Sequence, residues 1–388
     1  MQNLREANLK GKRVLYRTDY NVPLKGGAVL DDFRIVSTYP TLDFLIEKGA
    51  KIIIVSHVGR PDGHVIDELS MRPIASIVAT HYRKHNVQMA NQLFVPDIEQ
   101  TIENMNEGDI FFLPNIRFFA DEEKNGENFG KYLANLADVY VDDAFACAHR
   151  AHASIVRPAE LLPSYPGFLL EKEVEHLGKI LKDPEHPFVV IMGGAKVSDK
   201  MEVIRSLGKV ADIILIGGAM ANTFLLAQGE EIGDSKCEPD KRHLAEQLMH
   251  ELGSKLFLAP DYVKGGEGEH FSYLDIGEKS VQLFKEKMKD AKTIFWNGSL
   301  GYTEEAPYDK GSREIAEYMA TLQDAATIVA GGDTVEMITD LKIHDKFTFI
   351  STGGGAALEF LAGDALPGVV ALEKHEKTSE EPKEVPAQ

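Results

Sequence analysis

Short apolar runs separated by helical patterns recur along this chain, and that alternation constrains its fold more than any other feature. In the first part the runs are Val14–Tyr16, Ile52–Val55, Ile110–Leu113 and Val139–Val141. In the second they are Phe188–Met192, Ile213–Ile216, Leu256–Leu258, Thr293–Trp296, Thr327–Ala330 and Phe347–Ile350. Continuous apolar runs of this length suit strands buried on both faces, and strands alternating with helices give parallel sheets with helices on either side. The expected fold class is α/β, with two doubly wound, Rossmann-like parallel-sheet domains joined by a hinge helix. The first domain is expected over 1–167 and the hinge helix over 168–185, stopped by Asp183-Pro184 and His186-Pro187. The second domain is expected over 186–365, followed by a C-terminal segment over 366–388. From Glu373 onward half the positions are charged and few are apolar, so disorder is expected after 373.

Composition narrows the partners. The net charge of −19 disfavours nucleic acid and anionic membranes. No run approaches the ~18 apolar residues that span a bilayer, and the start, Met1-Gln2-Asn3-Leu4-Arg5-Glu6, lacks an apolar signal core. The two cysteines, Cys147 and Cys237, have no metal-ligand spacing. A cytoplasmic monomer is the expectation. An anionic ligand must then be captured by a local positive patch against the field of the whole chain.

In open parallel sheets ligands bind beyond the carboxyl ends of the strands, and the two halves differ there. In the first half Arg17, Asp19 and Asn21 follow one run, and Ser56-His57-Val58-Gly59-Arg60 the next. Asn115 and Arg117 follow the third, and Asp142, Asp143, His149, Arg150 and His152 the fourth. Arg34, His57, Arg60, Arg117 and Arg150 could converge on a small acid carrying phosphate, since the planar guanidinium grips such oxyanions bidentately. Asp19 and Asn21 could hold a hydroxyl of that acid. Each arginine could instead pair with a nearby surface carboxylate. His149, His152 and Cys147 fit structural roles better than chemical ones.

In the second half the strand ends carry glycines: Gly193-Gly194, Gly217-Gly218, Asn297-Gly298, Gly331-Gly332-Asp333 and Gly353-Gly354-Gly355. Glycine turns before helices expose N–H groups to phosphate. Lys196 and Lys200, four apart after Gly193-Gly194, are expected on one helix face and supply mobile positive charge. Asp333 suits Mg²⁺, which commonly takes one or two carboxylates plus substrate phosphates; a plain helix N-cap is the alternative. The pattern points to a polyphosphate site at which a phosphoryl group is handled, without the Walker spacing or a protein-kinase catalytic loop.

With these residues laid out, the sequence resembles phosphoglycerate kinases over nearly its whole length. RTDYNVP (Arg17–Pro23), SHVGRP (Ser56–Pro61), NIRFF (Asn115–Phe119), DDAFACAHRAHAS (Asp142–Ser154) and GFLLEKE (Gly167–Glu173) resemble the family's substrate-side and hinge segments. GGAKVSDK, IGGAMANTF (Ile216–Phe224), LDIG (Leu274–Gly277), WNGSLG (Trp296–Gly301), GGDT (Gly331–Thr334) and STGGGA (Ser351–Ala356) resemble its nucleotide side. The resemblance implies that Asp19, Asn21, Arg34, His57, Arg60, Arg117 and Arg150 bind 3-phosphoglycerate or 1,3-bisphosphoglycerate, with Arg34 at the carboxylate under attack. It implies that Lys196, Lys200, Gly218, Asn297, Glu304, Gly331, Gly332, Asp333 and Thr334 serve ATP or ADP as co-substrate. Gly218 would line the adenosine pocket, Glu304 would meet the ribose, and Asp333 would hold Mg²⁺. Lys200 would follow the transferring group, and Gly353, Gly354 and Gly355 would offer N–H groups to its oxygens. The implied activity is reversible phosphoryl transfer in glycolysis and gluconeogenesis, with hinge closure near Gly167–Glu173.

The chain departs from the family pattern mostly on the adenosine side, at Ala219, Glu278, Ser299, Leu300, Tyr302 and Thr303, and elsewhere at Pro114, Ala146 and Cys147. A nicotinamide-dependent dehydrogenase would need GxGxxG after a strand, which Gly217-Gly218-Ala219 does not supply. A nucleotide sensor that has lost turnover is the other alternative.

Overall fold

The computed structural model describes residues 1–268 and 270–380. The chain forms two compact units, one of Met1–Val174 with the segment from Ala365 onward, the other of Glu175–Asp364.

The first unit is built on six parallel strands. In chain order they are β1 (Arg13–Arg17), β2 (Lys51–Val55), β3 (Val87–Met89), β4 (Ile110–Phe112), β5 (Val139–Asp142) and β6 (Ser164–Pro166), arranged β3-β4-β2-β1-β5-β6. Register pairs Val14 with Ile52 on one side and Val139 on the other. Val14, Tyr16, Ile52, Ile54, Phe112 and Val141 meet in one buried core. Burial of each such side chain is worth about 1.5–3 kcal/mol, which holds four central strands in register and sets their carboxyl ends along one edge.

The second unit has β7 (Phe188–Met192), β8 (Ile213–Ile216), β9 (Leu256–Leu258), β10 (Thr293–Asn297), β11 (Ala326–Ala330) and β12 (Phe349–Ile350), in the order β9-β8-β7-β10-β11-β12. Read from β7 as one, this is 3-2-1-4-5-6, the doubly wound order whose switch point lies between the first and fourth strands. The helix Met201–Gly208 packs Val203, Ile204 and Leu207 inward, the spacing of one helical face, while Arg205 outside pairs with Glu251 at 2.7 Å.

Two strands at the sheet edge, β3 and β6, escape the apolar-run reading because Gln88 and Pro166 interrupt the pattern. An antiparallel hairpin, Tyr262–Glu267 against His270–Ile276, was also unexpected; its Gly265-Gly266 and outward polar residues hide the strand signal. Phe347 lies outside β12.

The linking helix runs Phe168–Lys182. Its start is fastened by Asp143, whose Oδ1 accepts from the backbone N–H of Leu169 at 2.8 Å and of Leu170 at 3.0 Å. The Tyr16 hydroxyl donates to Asp143 Oδ2 at 2.6 Å. A Cβ on Gly167 would stand 2.2 Å from that carboxylate, so only glycine lets the chain pass.

The segment after 373, for which disorder is expected, is described only as far as Glu380. Glu373–Glu380 continue the helix Pro367–Glu380, whose buried Val369 and Leu372 give it a face to pack, and residues 381–388 lie outside the described residues. That helix packs on Ala153–Leu161 of the first unit, with Gly368 N–H donating to Ala148 O at 2.9 Å.

Candidate active site

In the first unit the carboxyl ends of β1, β2 and β4 carry a connected polar network. Arg34, on the short helix Phe33–Val36, pairs with Asp19 Oδ2. Asp19 Oδ1 lies 3.7 Å from His57 Nδ1 and accepts from Asn21 N at 3.1 Å. Asn21 Oδ1 accepts from Gly59 N at 2.9 Å, and Arg117 Nη1 donates to Gly59 O at 3.0 Å. Five of the seven expected substrate residues therefore form one structure. Arg150, partly exposed, donates from Nε to His149 Nε2 at 3.1 Å. Arg60 stands exposed on the loop after β2 and forms no ion pair among the described residues.

Burial alone would raise the Asp19 pKa, but Arg34 and its other cationic neighbours outweigh it and hold the carboxyl below its ordinary range. Burial drives His57 well below its ordinary pKa, and His152 down to about 3, with the arginines adding to the effect. Both imidazoles are neutral at physiological pH, so the charge of the site comes from guanidinium groups. Burial, with neighbouring Arg17 and Arg150, also lowers the pKa of Arg117. Cys147 is buried with its Sγ 4.0 Å from His57 Nδ1, and burial pushes its thiol up to about 12. Such a thiol is no nucleophile, in line with the packed role expected for it.

Arg17 is the cation that strand-end reasoning left without a role. It is fully buried beneath the network and donates from Nε to Ser154 Oγ at 2.8 Å. Glu122, also fully buried, accepts from Ser154 Oγ at 2.6 Å and Ser154 N at 2.8 Å. Nothing in the local sequence marks Glu122, because its burial depends on packing between Ala120–Glu123 and Ala153–Leu161.

In the second unit the glycine turns after β7, β8 and β10 pack on one another at the switch point. Gly193 N donates to Asn297 O at 2.9 Å, Gly194 N to Ser299 O at 2.7 Å, and Gly218 N to Leu300 O at 3.0 Å. A Cβ on Gly193 would stand 2.2 Å from Ser299 O, and one on Gly218 2.5 Å from the same atom. These glycines are required by backbone meeting backbone, a cause the sequence reading did not separate from ligand approach. By contrast, a Cβ on Gly332, Gly354 or Gly355 would meet open space.

The expectation that Lys196 and Lys200 share a helix face is wrong. The helix begins at Met201, and the preceding turn is held by Ser198, which donates to Glu238 from Oγ at 2.6 Å and from N at 3.0 Å. Lys196 is exposed. Lys200 folds back, donating from Nζ to Gly193 O at 2.7 Å and Asn297 O at 3.3 Å. Burial lowers its ammonium to about 8, against the pull of Asp333 and Asp199.

A cleft of about 320 Å³ opens beside these turns. Of the expected nucleotide residues, Gly218, Glu304 and Asp333 line it; Lys196, Lys200, Asn297, Gly331, Gly332 and Thr334 do not. Asn297 is buried and ties the strand ends, its Nδ2 donating to Ala330 O at 3.0 Å. The buried Thr334 accepts at Oγ1 from Gly298 N at 2.9 Å. Gly353–Gly355 lie after β12 at the start of the helix Gly355–Ala362, also outside the cleft lining. Ala219, Ser299, Leu300 and Tyr302, four of the family departures, all line the cleft. The remaining wall comes largely from the unexpected hairpin, through Tyr262, Tyr273 and Leu274.

A guanidinium-rich site on one α/β unit and glycine turns with a half-buried lysine at the switch point of the other suit a two-unit phosphotransferase. A family model for phosphoglycerate kinase matches residues 4–364. A phosphoglycerate kinase of Dictyoglomus turgidum (strain DSM 6724 / Z-1310) is 46% identical over 389 residues, covering 96% of this chain and 98% of its own. The solved phosphoglycerate kinases of Coxiella burnetii and Pyrococcus horikoshii OT3 superpose with TM-scores of 0.84 and 0.88 at 34% and 30% identity. They cover 96% and 97% of this chain, and 98% and 100% of theirs. The chain belongs to the phosphoglycerate kinase family.

Proposed function

We propose that the chain catalyses reversible phosphoryl transfer between 1,3-bisphosphoglycerate and MgADP, giving 3-phosphoglycerate and MgATP. One observation carries this reading: the family match runs through both units from residue 4 to 364 and contains every charged residue assigned to the reaction. Asp19, Asn21, Arg34, His57, Arg60, Arg117 and Arg150 bind the phosphoglycerate. Neutral His57 orients Asp19, and the guanidinium groups neutralise carboxylate and phosphate. The nucleotide takes the cleft, with Glu304 toward its ribose. Phosphoryl transfer depends on positioning and on charge neutralisation. Lys200, released from its carbonyl partners, follows the moving group, and Gly353–Gly355 offer it backbone N–H groups, that of Gly353 exchanging its present acceptor, Ser351 Oγ at 3.0 Å.

Asp333 fits Mg²⁺: it is an exposed carboxylate on the cleft wall, in the first turn of Gly332–Leu341, close enough for its charge to act on Lys200. Bound there with the nucleotide, Mg²⁺ would offset charge on the β- and γ-phosphates.

Because each substrate belongs to a different unit, we propose that closure at Phe168–Lys182 precedes transfer. Small-angle scattering should show compaction with both substrates bound and not with either alone. One chain carries both sets of residues, which supports a monomer, and we propose that it acts in the cytoplasm. No single helix among the described residues is long and apolar enough to cross a membrane. The decisive test is a coupled assay with 3-phosphoglycerate, ATP and Mg²⁺. Turnover is expected, and its absence from folded protein would refute the reading.

A further inference from the structure

Buried polar side-chain atoms almost always have a hydrogen-bond partner, so an orphan in a cleft marks where a ligand atom belongs. Among the described residues of the second unit, two such atoms have none: Asn222 Oδ1 and the Tyr262 hydroxyl. Both residues line the cleft assigned above to the nucleotide. Asn222 is only 1% exposed, on the helix Gly218–Gln228 that starts from the glycine turn after β8. Its Nδ2 donates to Lys236 O at 3.0 Å, which fixes the amide with Oδ1 as the unused group. Tyr262 stacks on Tyr273, their ring centroids 4.6 Å apart and planes at 28°.

We infer that Asn222 is a specificity-determining residue for the base, its Oδ1 accepting from the exocyclic amino group of a 6-aminopurine. The inference rests on the reading of this cleft as the nucleotide site. An amide oxygen can only accept. The 6-amino group of adenine donates, whereas the 6-oxo group of hypoxanthine or guanine presents a second acceptor and leaves Oδ1 opposed as well as unpaired. Tyr262 supplies the complementary function. Burial raises its phenol pKa, so the hydroxyl keeps its proton and can donate to a ring nitrogen of the same base. Adenine offers a donor and an acceptor side by side at its 6-amino group and N1. A site whose buried polar groups lose their partners rejects the wrong substrate more strongly than an apolar pocket does.

The test compares ATP with ITP, which replaces the 6-amino group by a 6-oxo group and puts a proton on N1. The wild-type chain should favour ATP in kcat/KM by roughly tenfold or more. Asn222→Leu should bring that ratio to within about twofold, and Tyr262→Phe should narrow it less. Calorimetry with ADP and IDP reads the same preference without turnover, so a chain that fails to transfer phosphate still tests this inference separately from the reaction. If Asn222→Leu does not fold, the wild-type ADP-to-IDP ratio and Tyr262→Phe decide. A wild-type ratio near one, or ratios unmoved in the folded variants, would overturn the inference.

Discussion

The two units solve anion binding by opposite means. The first concentrates guanidinium groups and secures them through side-chain contacts, with Arg34 on Asp19 and Arg117 on Gly59 O. The second uses little side-chain charge and builds its cleft from backbone, with Gly193, Gly194 and Gly218 locked into neighbouring turns. The difference suits the partner proposed for each. A small acid with two charged ends needs directional forks at fixed points. A polyphosphate that gives up its terminal group needs surfaces the chain can approach closely, plus one cation free to move. Lys200, half-buried and held by two carbonyl oxygens alone among the described residues, has that freedom; Arg17, fully buried, does not.

The comparison breaks most visibly at Lys200. Lys200→Ala should lower kcat about 10²–10³-fold with little change in KM for either substrate, the loss typical of one transition-state donor. Near-normal turnover would remove it from the reaction. Because the free ammonium titrates near 8, kcat/KM for the nucleotide should fall as pH rises through that value and the positive charge is lost. A flat profile to pH 9.5 would contradict this.

Next in size is the fastening between the first unit's rim and the linking helix. Asp143→Ala strips the side-chain partner from Leu169 N and Leu170 N at once, and leaves the Tyr16 hydroxyl with Thr38 O at 3.1 Å alone. Unfolding in urea should show a loss of about 3 kcal/mol, since each buried orphan costs about 1–3 kcal/mol. A loss below about 1 kcal/mol would mean that water replaces the carboxylate.

Arg60→Ala should raise KM for 3-phosphoglycerate roughly tenfold, with kcat changed less, because a free exposed guanidinium contributes chiefly to binding. An unchanged KM would place Arg60 outside the site.

The smallest effect sharpens the contrast in burial. Burial pushes Asp142 up to about 7, so the folded first unit holds a proton there that the unfolded chain releases near 4. Stability from this group is present below pH 4 and declines as pH rises to 7. Asp142→Asn, which keeps the oxygen that accepts from Ala144 N at 2.9 Å, should therefore compare more favourably with wild type at pH 8 than at pH 5. Thermal melts at the two values would show it; a pH-independent difference would refute the assignment.

Much of the fold was legible because its central strands are continuous apolar runs, a pattern with few alternatives to a buried parallel sheet. Candidate site residues could be named from sequence because arginines and glycines gather at strand ends, where only loops can carry them. The edge strands and the hairpin Tyr262–Glu267/His270–Ile276 were not, since one-sided burial leaves a mixed polar pattern. The shared helix face expected of Lys196 and Lys200 failed for a related reason: spacing of four implies a face only where the backbone is helical, and Glu238, some forty residues on, holds that segment as a turn.

By itself the sequence determined the class of sheet, the division into two α/β units and the chemistry available at each rim, because these follow from local hydrophobic pattern and residue type. Tertiary structure alone decided which glycines serve packing, which lysine is held half-buried, and which buried atoms lack partners. Those properties depend on what long-range neighbours supply, such as Ser299 against Gly193 or Lys236 against Asn222. No local pattern encodes the distance between two strand ends once the sheet has closed.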